Sequence, residues 1–150
     1  MARRDQIYFE DARIIFRNFS GEKSKFNTAG TRDFAVVIED PDAAQRLIDD
    51  GWNVKFLEPR EPDEPRICFL KVAVSYAVAP PKIFVVNGRN KVLLDEETVG
   101  ELDYADISTV DLSISPYHWE VNGKTGIKAY AATMYVNVTP DPFADKYKFE

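Results

Sequence analysis

Polar and apolar positions alternate along most of this chain, and that period of two predicts strands. Residues 12–19 put Ala12, Ile14 and Phe16 on one face and Arg13, Ile15, Arg17 and Phe19 on the other. Residues 32–39 bring Phe34, Val36 and Ile38 to a common face. Turn formers fill 20–30, which predicts a long, mobile hairpin connection. The period then changes. Asp40 as N-cap, Pro41 at the first helical position, the pairs Ala43/Leu47 and Ala44/Ile48, and Gly51 as a stop predict a helix over 41–50. Extended structure resumes at 52–57, and three prolines in 58–66 mark a solvated loop.

The clearest strand is 67–76, with Cys68, Leu70, Val72, Val74 and Tyr76 inward and Lys71 and Ser75 outward. Ala79-Pro80-Pro81 ends it. Stretches 83–86 and 92–94 flank the hairpin turn Asn87-Gly88-Arg89-Asn90, and Asp95 is placed to cap a short helix over 96–102. Residues 107–114 alternate again, with Ser108, Val110, Leu112 and Ile114 together. Stretches 117–121 and 126–138 are joined through Asn122-Gly123, a second hairpin turn. The pattern gives a domain over 1–138 and a Pro- and charge-containing tail, 139–150, expected to fray. Eight or so strands with one helix make a mostly-β domain that must protect its edges. An OB-fold-like antiparallel barrel, closed or partly open with additional hairpins, fits; a jelly roll or β-sandwich fits the same count.

Composition narrows the function classes. The 150 residues suit one domain, and 45% apolar with 13% aromatic content suits a packed core. A net charge of −6 excludes a generally cationic DNA-coating protein but not a local basic groove. No apolar run approaches the roughly 20 residues that span a bilayer, and none behind Met1 reads as a signal peptide. Cys68 and His118 are the sole cysteine and histidine. They leave no internal disulfide, no multi-thiolate zinc site and little room for His-dependent nucleophilic catalysis. No cofactor is expected, and a cytoplasmic setting is.

Charge is segregated. Residues 12–32 hold Arg13, Arg17, Lys23, Lys25 and Arg32 against Glu22, net +4, and 82–94 hold Lys82, Arg89 and Lys91 with no acid, net +3. Residues 95–111 carry seven acids and no base, and 39–50 five acids against Arg46. Basic segments lying side by side would form a positive track on a repulsive body. Aromatics are interleaved with the bases: Phe26 after Lys25, Trp52 before Lys55, Phe84 near Lys82, and Tyr117, Trp119 and Tyr130 around Lys124 and Lys128. Cations for the backbone and rings for the bases are what single-stranded nucleic acid needs. The candidate contact set is therefore Arg13, Arg17, Lys23, Lys25, Phe26, Arg32, Trp52, Lys55, Tyr117, Trp119, Lys128 and Tyr130. Each ring also has a plain reading as core, and each strand cation one as solvated surface. The 95–111 carboxylates could be read as a Mg²⁺ nuclease site, but their spacing is poor and a solvated acidic face explains them better.

Several pieces, in order, resemble single-stranded DNA-binding proteins encoded by tailed phages and prophages. They are Asn18-Phe19-Ser20-Gly21 through Lys25-Phe26-Asn27 into Arg32-Asp33-Phe34, then Gly51-Trp52-Asn53-Val54-Lys55. Thr98-Val99-Gly100-Glu101-Leu102-Asp103, Trp119-Glu120-Val121-Asn122-Gly123, Gly126-Ile127-Lys128-Ala129-Tyr130 and Met134-Tyr135-Val136 follow. The resemblance spans about residues 7–138. It implies an OB fold, sequence-independent capture of single strands, and an accessory role in phage replication or recombination in the infected bacterial cytoplasm. Many proteins of that function end in a strongly acidic tail that recruits replication partners. Residues 141–150 hold three acids against two lysines, net −1. Either that recruitment is weak or lost here, or another acidic surface such as 95–111 takes it over.

The leading expectation is a non-catalytic module, monomer or homodimer, whose partner is single-stranded DNA, with replication or recombination proteins as further partners and no membrane. The alternatives are a β-sandwich structural or adaptor protein of a phage and a Mg²⁺-dependent nuclease.

Overall fold

A computed structural model of the chain describes residues 6–21, 31–59, 61–64, 66–77 and 80–139. Among these residues the elements run β1 (Ile7–Ala12), β2 (Ile14–Asn18), β3 (Arg32–Ile38), α1 (Pro41–Asp49), β4 (Val54–Leu57), β5 (Ile67–Val74), β6 (Lys82–Asn87), β7 (Asn90–Leu94), a 3-10 helix (Val99–Asp103), β8 (Ile107–Val121) and β9 (Lys124–Val138). The sheet path is β1-β8-β9-β5-β3-β2, with β4 added to β5 and the β6–β7 hairpin added to β9.

The two ends of that path are one segment. Arg13 separates β1 from β2, and its carbonyl accepts a 2.9 Å hydrogen bond from the Val37 N–H. The segment thus leaves β8 and joins β3 at a bend, marked by a positive φ of 52° at Asp11. Taking β1 and β2 as one bent strand, five principal strands lie in the order first, second, third, fifth, fourth. The contact between third and fifth (β5 with β9) is parallel and the rest are antiparallel. This is the partly open five-stranded arrangement of an OB fold. β1 and β2, the two ends of the path, do not pair with each other, so the sheet is not closed by a ladder there and the two are joined only through the chain at Arg13.

Local chemistry explains the elements that the pattern anticipates. The Asp40 carboxylate accepts from the Asp42 N–H at 3.0 Å and starts α1. At its far end the Trp52 N–H returns to the Leu47 carbonyl at 2.9 Å. Asn122 and Gly123, with φ of 51° and 80°, make the tight turn between β8 and β9. The core gathers the inward faces: Phe34 and Val36 from β3, Leu70 and Val72 from β5, Ile83 from β6, Ile114 from β8 and Met134 from β9, all 1% exposed or less. Burying such side chains contributes about 1.5–3 kcal/mol each. No helix among the described residues is long and apolar enough to cross a membrane.

Four readings of the pattern are corrected. β1 is a strand that alternation did not single out. In β2 a bulge between Ile15 and Asn18, with φ of 54° at Phe16, reverses the expected parity. Phe16 is therefore exposed, while Phe19 is buried and stacks on Phe34 at 5.2 Å. The predicted helix over 96–102 is a turn followed by the 3-10 helix. Stretches 107–114 and 117–121 form one strand through Pro116, which is tolerated because β1 pairs with β8 only as far as Ile114. The tail beyond Thr139 lies outside the described residues.

Candidate nucleic-acid interface

β8 and β9 are each fifteen residues long, more than the core needs. From Tyr117 to Thr125 every residue is exposed, so the pair projects as a two-stranded arm. The cross-strand partners Tyr117↔Lys128, Trp119↔Gly126 and Val121↔Lys124 put these six residues on one face of the arm. Tyr130, opposite Ser115, continues that face onto the barrel.

The rings are held in place. The Tyr117 and Tyr130 centroids are 6.1 Å apart and nearly perpendicular, and Lys128 Nζ lies 5.2 Å from the centre of the Tyr130 ring. The Trp119 indole lies across Gly126, where a Cβ would come within 2.5 Å of Cζ2. Only glycine gives the ring this seat. Trp119 remains 38% exposed and Tyr117 53%, so both keep ring surface open to a ligand.

The other face of the arm differs. It rests on the end of α1 through the Trp52–Ile127 bridge. A cleft of about 500 Å³ there is lined by Asp50, His118, Glu120 and Ile127, and also by Trp119 and Gly126 of the ring-bearing face. Two carboxylates repel a polyanion, which leaves the ring-bearing face as the electrostatically open one.

That face continues across the sheet. Ala73 of β5 pairs with Tyr130, which puts the outward residues Phe69, Lys71 and Ala73 in line with the arm. Lys55 of β4 stands opposite Phe69, and Phe16 meets the Phe69 ring edge-on at 5.5 Å. Lys71 lies 3.5 Å from Asp33. Among the described residues of this face, Lys55, Lys71, Lys124 and Lys128 stand against Asp33. In OB folds the second and third strands (here β3 and β5) and the loop joining the fourth to the fifth (here the arm) form the oligonucleotide face.

The sequence-predicted residues thus divide. Lys55, Tyr117, Trp119, Lys128 and Tyr130 come together on one surface. Trp52 does not: it is 7% exposed and belongs to the core, so its ring has no face for a base. Arg17 is turned to the 3-10 helix, donating from Nη1 to the carbonyls of Leu102 and Ala105, both at 2.8 Å. Arg32 donates from Nε to the Phe19 carbonyl at 3.0 Å and pairs with Glu96 at 3.3 Å. Arg13 is exposed at the β1–β2 bend. Lys23, Lys25 and Phe26 lie outside the described residues. The two basic segments do not pair strand to strand, since β2–β3 joins β5 whereas β6–β7 joins β9.

The acidic stretch is likewise engaged in the fold. Asp103 accepts from the Phe19 and Ser20 N–H groups at 2.6 and 3.1 Å, and Asp111 from the Asp11 N–H at 2.7 Å. The Thr98 hydroxyl and amide, hydrogen-bonded to the Asp95 carboxylate, hold it below the usual aspartate range. Burial raises the Tyr76 phenol above its usual value, against the opposing pull of Arg32. No group of three or more His, Cys, Asp or Glu among the described residues is arranged to hold a metal ion.

Phe16, Phe69 and Lys71 are functional candidates that sequence reasoning passed over. The signal for two of them was present, because the parity that sends Leu70 and Val72 inward sends Phe69 and Lys71 outward. Phe16 had none, since its exposure depends on the bulge.

Among curated proteins, none matches the chain. Its fold is similar to solved structures of the single-stranded DNA-binding protein from bacteriophage Enc34. One, at 11% identity and a TM-score of 0.59, covers 98% of this chain and 88% of that one. A C-terminal truncation (12%, TM-score 0.58) and a complex with ssDNA (12%, TM-score 0.55) each cover 94% of this chain and 90% of theirs. A family model described as "Putative phage ssDNA-binding domain" matches residues 1–149, and the chain belongs to that family.

Proposed function

We propose that this phage ssDNA-binding domain holds single-stranded DNA, without regard to base order, along the outer face of the β8–β9 arm and the adjoining β5 surface. The observation that carries the reading is the row of anchored rings, Trp119 and Tyr117 exposed and Tyr130 half-buried, set among Lys124 and Lys128 on one side of the arm. Each base stacked on such a ring contributes ~1–3 kcal/mol whatever its identity. Lysines neutralise phosphates and release counterions, which makes binding steeply salt-dependent. Phe69, Phe16, Lys55 and Lys71 extend the same chemistry across the barrel. The Enc34 protein, with the same fold, is solved with ssDNA bound.

The chain acts by binding and not by cleavage, since much of the 95–111 carboxylate stretch serves as caps and ion-pair partners within the fold. The setting is the cytoplasm of the infected host, where the protein protects and presents single strands during replication or recombination. Titration with oligothymidine at two salt concentrations tests the reading. Four lysine contacts give a log–log salt slope of about −3. Binding that is absent at low salt, or indifferent to salt, contradicts it.

A further inference from the structure

The outer surface carries a second ring-and-lysine cluster away from the arm. Phe84 of β6 stands opposite Tyr135 of β9, their rings stacked at 5.1 Å and 9°. Lys91 of β7 holds Nζ 4.9 Å from the centre of the Phe84 ring and 5.7 Å from that of Tyr135. The core lies on the opposite side, under Ile83 and Met134, so this pair faces outward, and Tyr135 is 37% exposed. The next rung toward the arm runs from Tyr8 through Ser113 and Thr133 to Lys82. One carboxylate, Asp111, shares the rung of Tyr135, and it is turned to the Asp11 N–H.

We infer that Phe84, Tyr135, Lys82 and Lys91 form a second single-strand subsite, which takes the strand onward from the arm over the β6–β7 hairpin. The inference rests on the reading proposed above. Two observations commit the surface to nucleic acid. The hairpin segment 82–94 has Lys82, Arg89 and Lys91 and no acid, the charge a polyanion requires. The surface also continues from the arm: β6 takes over from β5 along the same edge of β9, and the bulge between Ala131 and Thr133 leaves Tyr130 and Tyr135 on one outer face. Five residues of strand separate them by about 16 Å, far enough for separate nucleotides to occupy each. The Lys91 ammonium over two ring faces keeps its charge available to a phosphate beside a stacked base.

Two oligonucleotide lengths test this in the full chain. Thymidine oligomers of about 6 and about 20 nucleotides lie near the lower end and beyond the upper end of the roughly 4–16 nucleotides that an OB fold covers. The charge reversal Lys91→Glu and the truncation Tyr135→Ser are compared with the unmodified chain. The subsite predicts that both variants bind the long oligomer about tenfold more weakly, with a smaller occluded length, and the short one within about twofold of the unmodified chain. Lys91→Glu, at an exposed edge position, keeps the test valid should Tyr135→Ser loosen β6. Variants that bind the long oligomer as the unmodified chain does overturn the subsite and leave the arm reading standing. An unmodified chain that binds neither length removes the arm reading, and the subsite with it.

Discussion

Arg17 and Lys128 are both strand cations in aromatic surroundings, and the fold uses them in opposite ways. The Arg17 guanidinium is committed to two carbonyls at the end of the 3-10 helix, and neighbouring Arg32 to Phe19 and Glu96. Lys128 meets a tyrosine ring on an exposed arm, and among the described residues no acid forms an ion pair with it. The first region spends its positive charge on docking the acidic stretch to the barrel, whereas the second leaves it for a ligand. A basic segment in a sequence therefore says little until its partners are known. Planar donors such as arginine suit the first role, and a lysine over a ring suits the second.

Substitutions on the two sides should separate binding from folding. Trp119→Ala should give the largest effect, weakening oligothymidine binding by about 1–3 kcal/mol, while its denaturation midpoint stays close to that of the parent. Arg17→Ala should do the converse. Losing a guanidinium bonded to two carbonyls should lower stability by about 1–2 kcal/mol in urea titrations, with the salt slope of binding unchanged. An Arg17→Ala protein that folds normally but loses salt dependence would erase the distinction between the regions. Lys128→Ala should leave stability alone and reduce the salt slope by about 0.7, one phosphate contact on a single strand.

The smallest effect is a pH dependence on the docking side. The Asp95 carboxyl is held below its usual value in the folded chain, so the stability it contributes is present above the unfolded value. That contribution is lost as pH falls through the lower folded value. Asp95→Asn should flatten the acid limb of a stability–pH curve slightly and leave DNA affinity at neutral pH as it was.

Much of the architecture could be read in the chain because its signals are local. Asp40-Pro41 and Gly51 bracket α1, Asn122-Gly123 turns the last hairpin, and alternation in 67–74 separates Leu70 and Val72 from Lys71. The site was half legible for the same reason: Tyr117, Trp119, Lys128 and Tyr130 lie within fourteen residues of one hairpin. What escaped is set at long range. Trp52 becomes core through Ile127, and Arg17 finds its carbonyls at 102 and 105. The bulge that turns Phe16 outward and Phe19 inward answers to the packing of Phe19 on Phe34, which alternation within β2 cannot anticipate.

The chain has two tryptophans, one buried at 52 and one on the arm at 119, and this makes intrinsic fluorescence a direct test of where the strand lies. Titrating oligothymidine into the parent and into Trp119→Phe, which keeps a stacking ring, separates signal from affinity. Quenching in the parent that disappears in Trp119→Phe, while a labelled oligomer is still bound, is the predicted result. Quenching of the same depth in both proteins would mean that the strand runs elsewhere and the arm is not its seat.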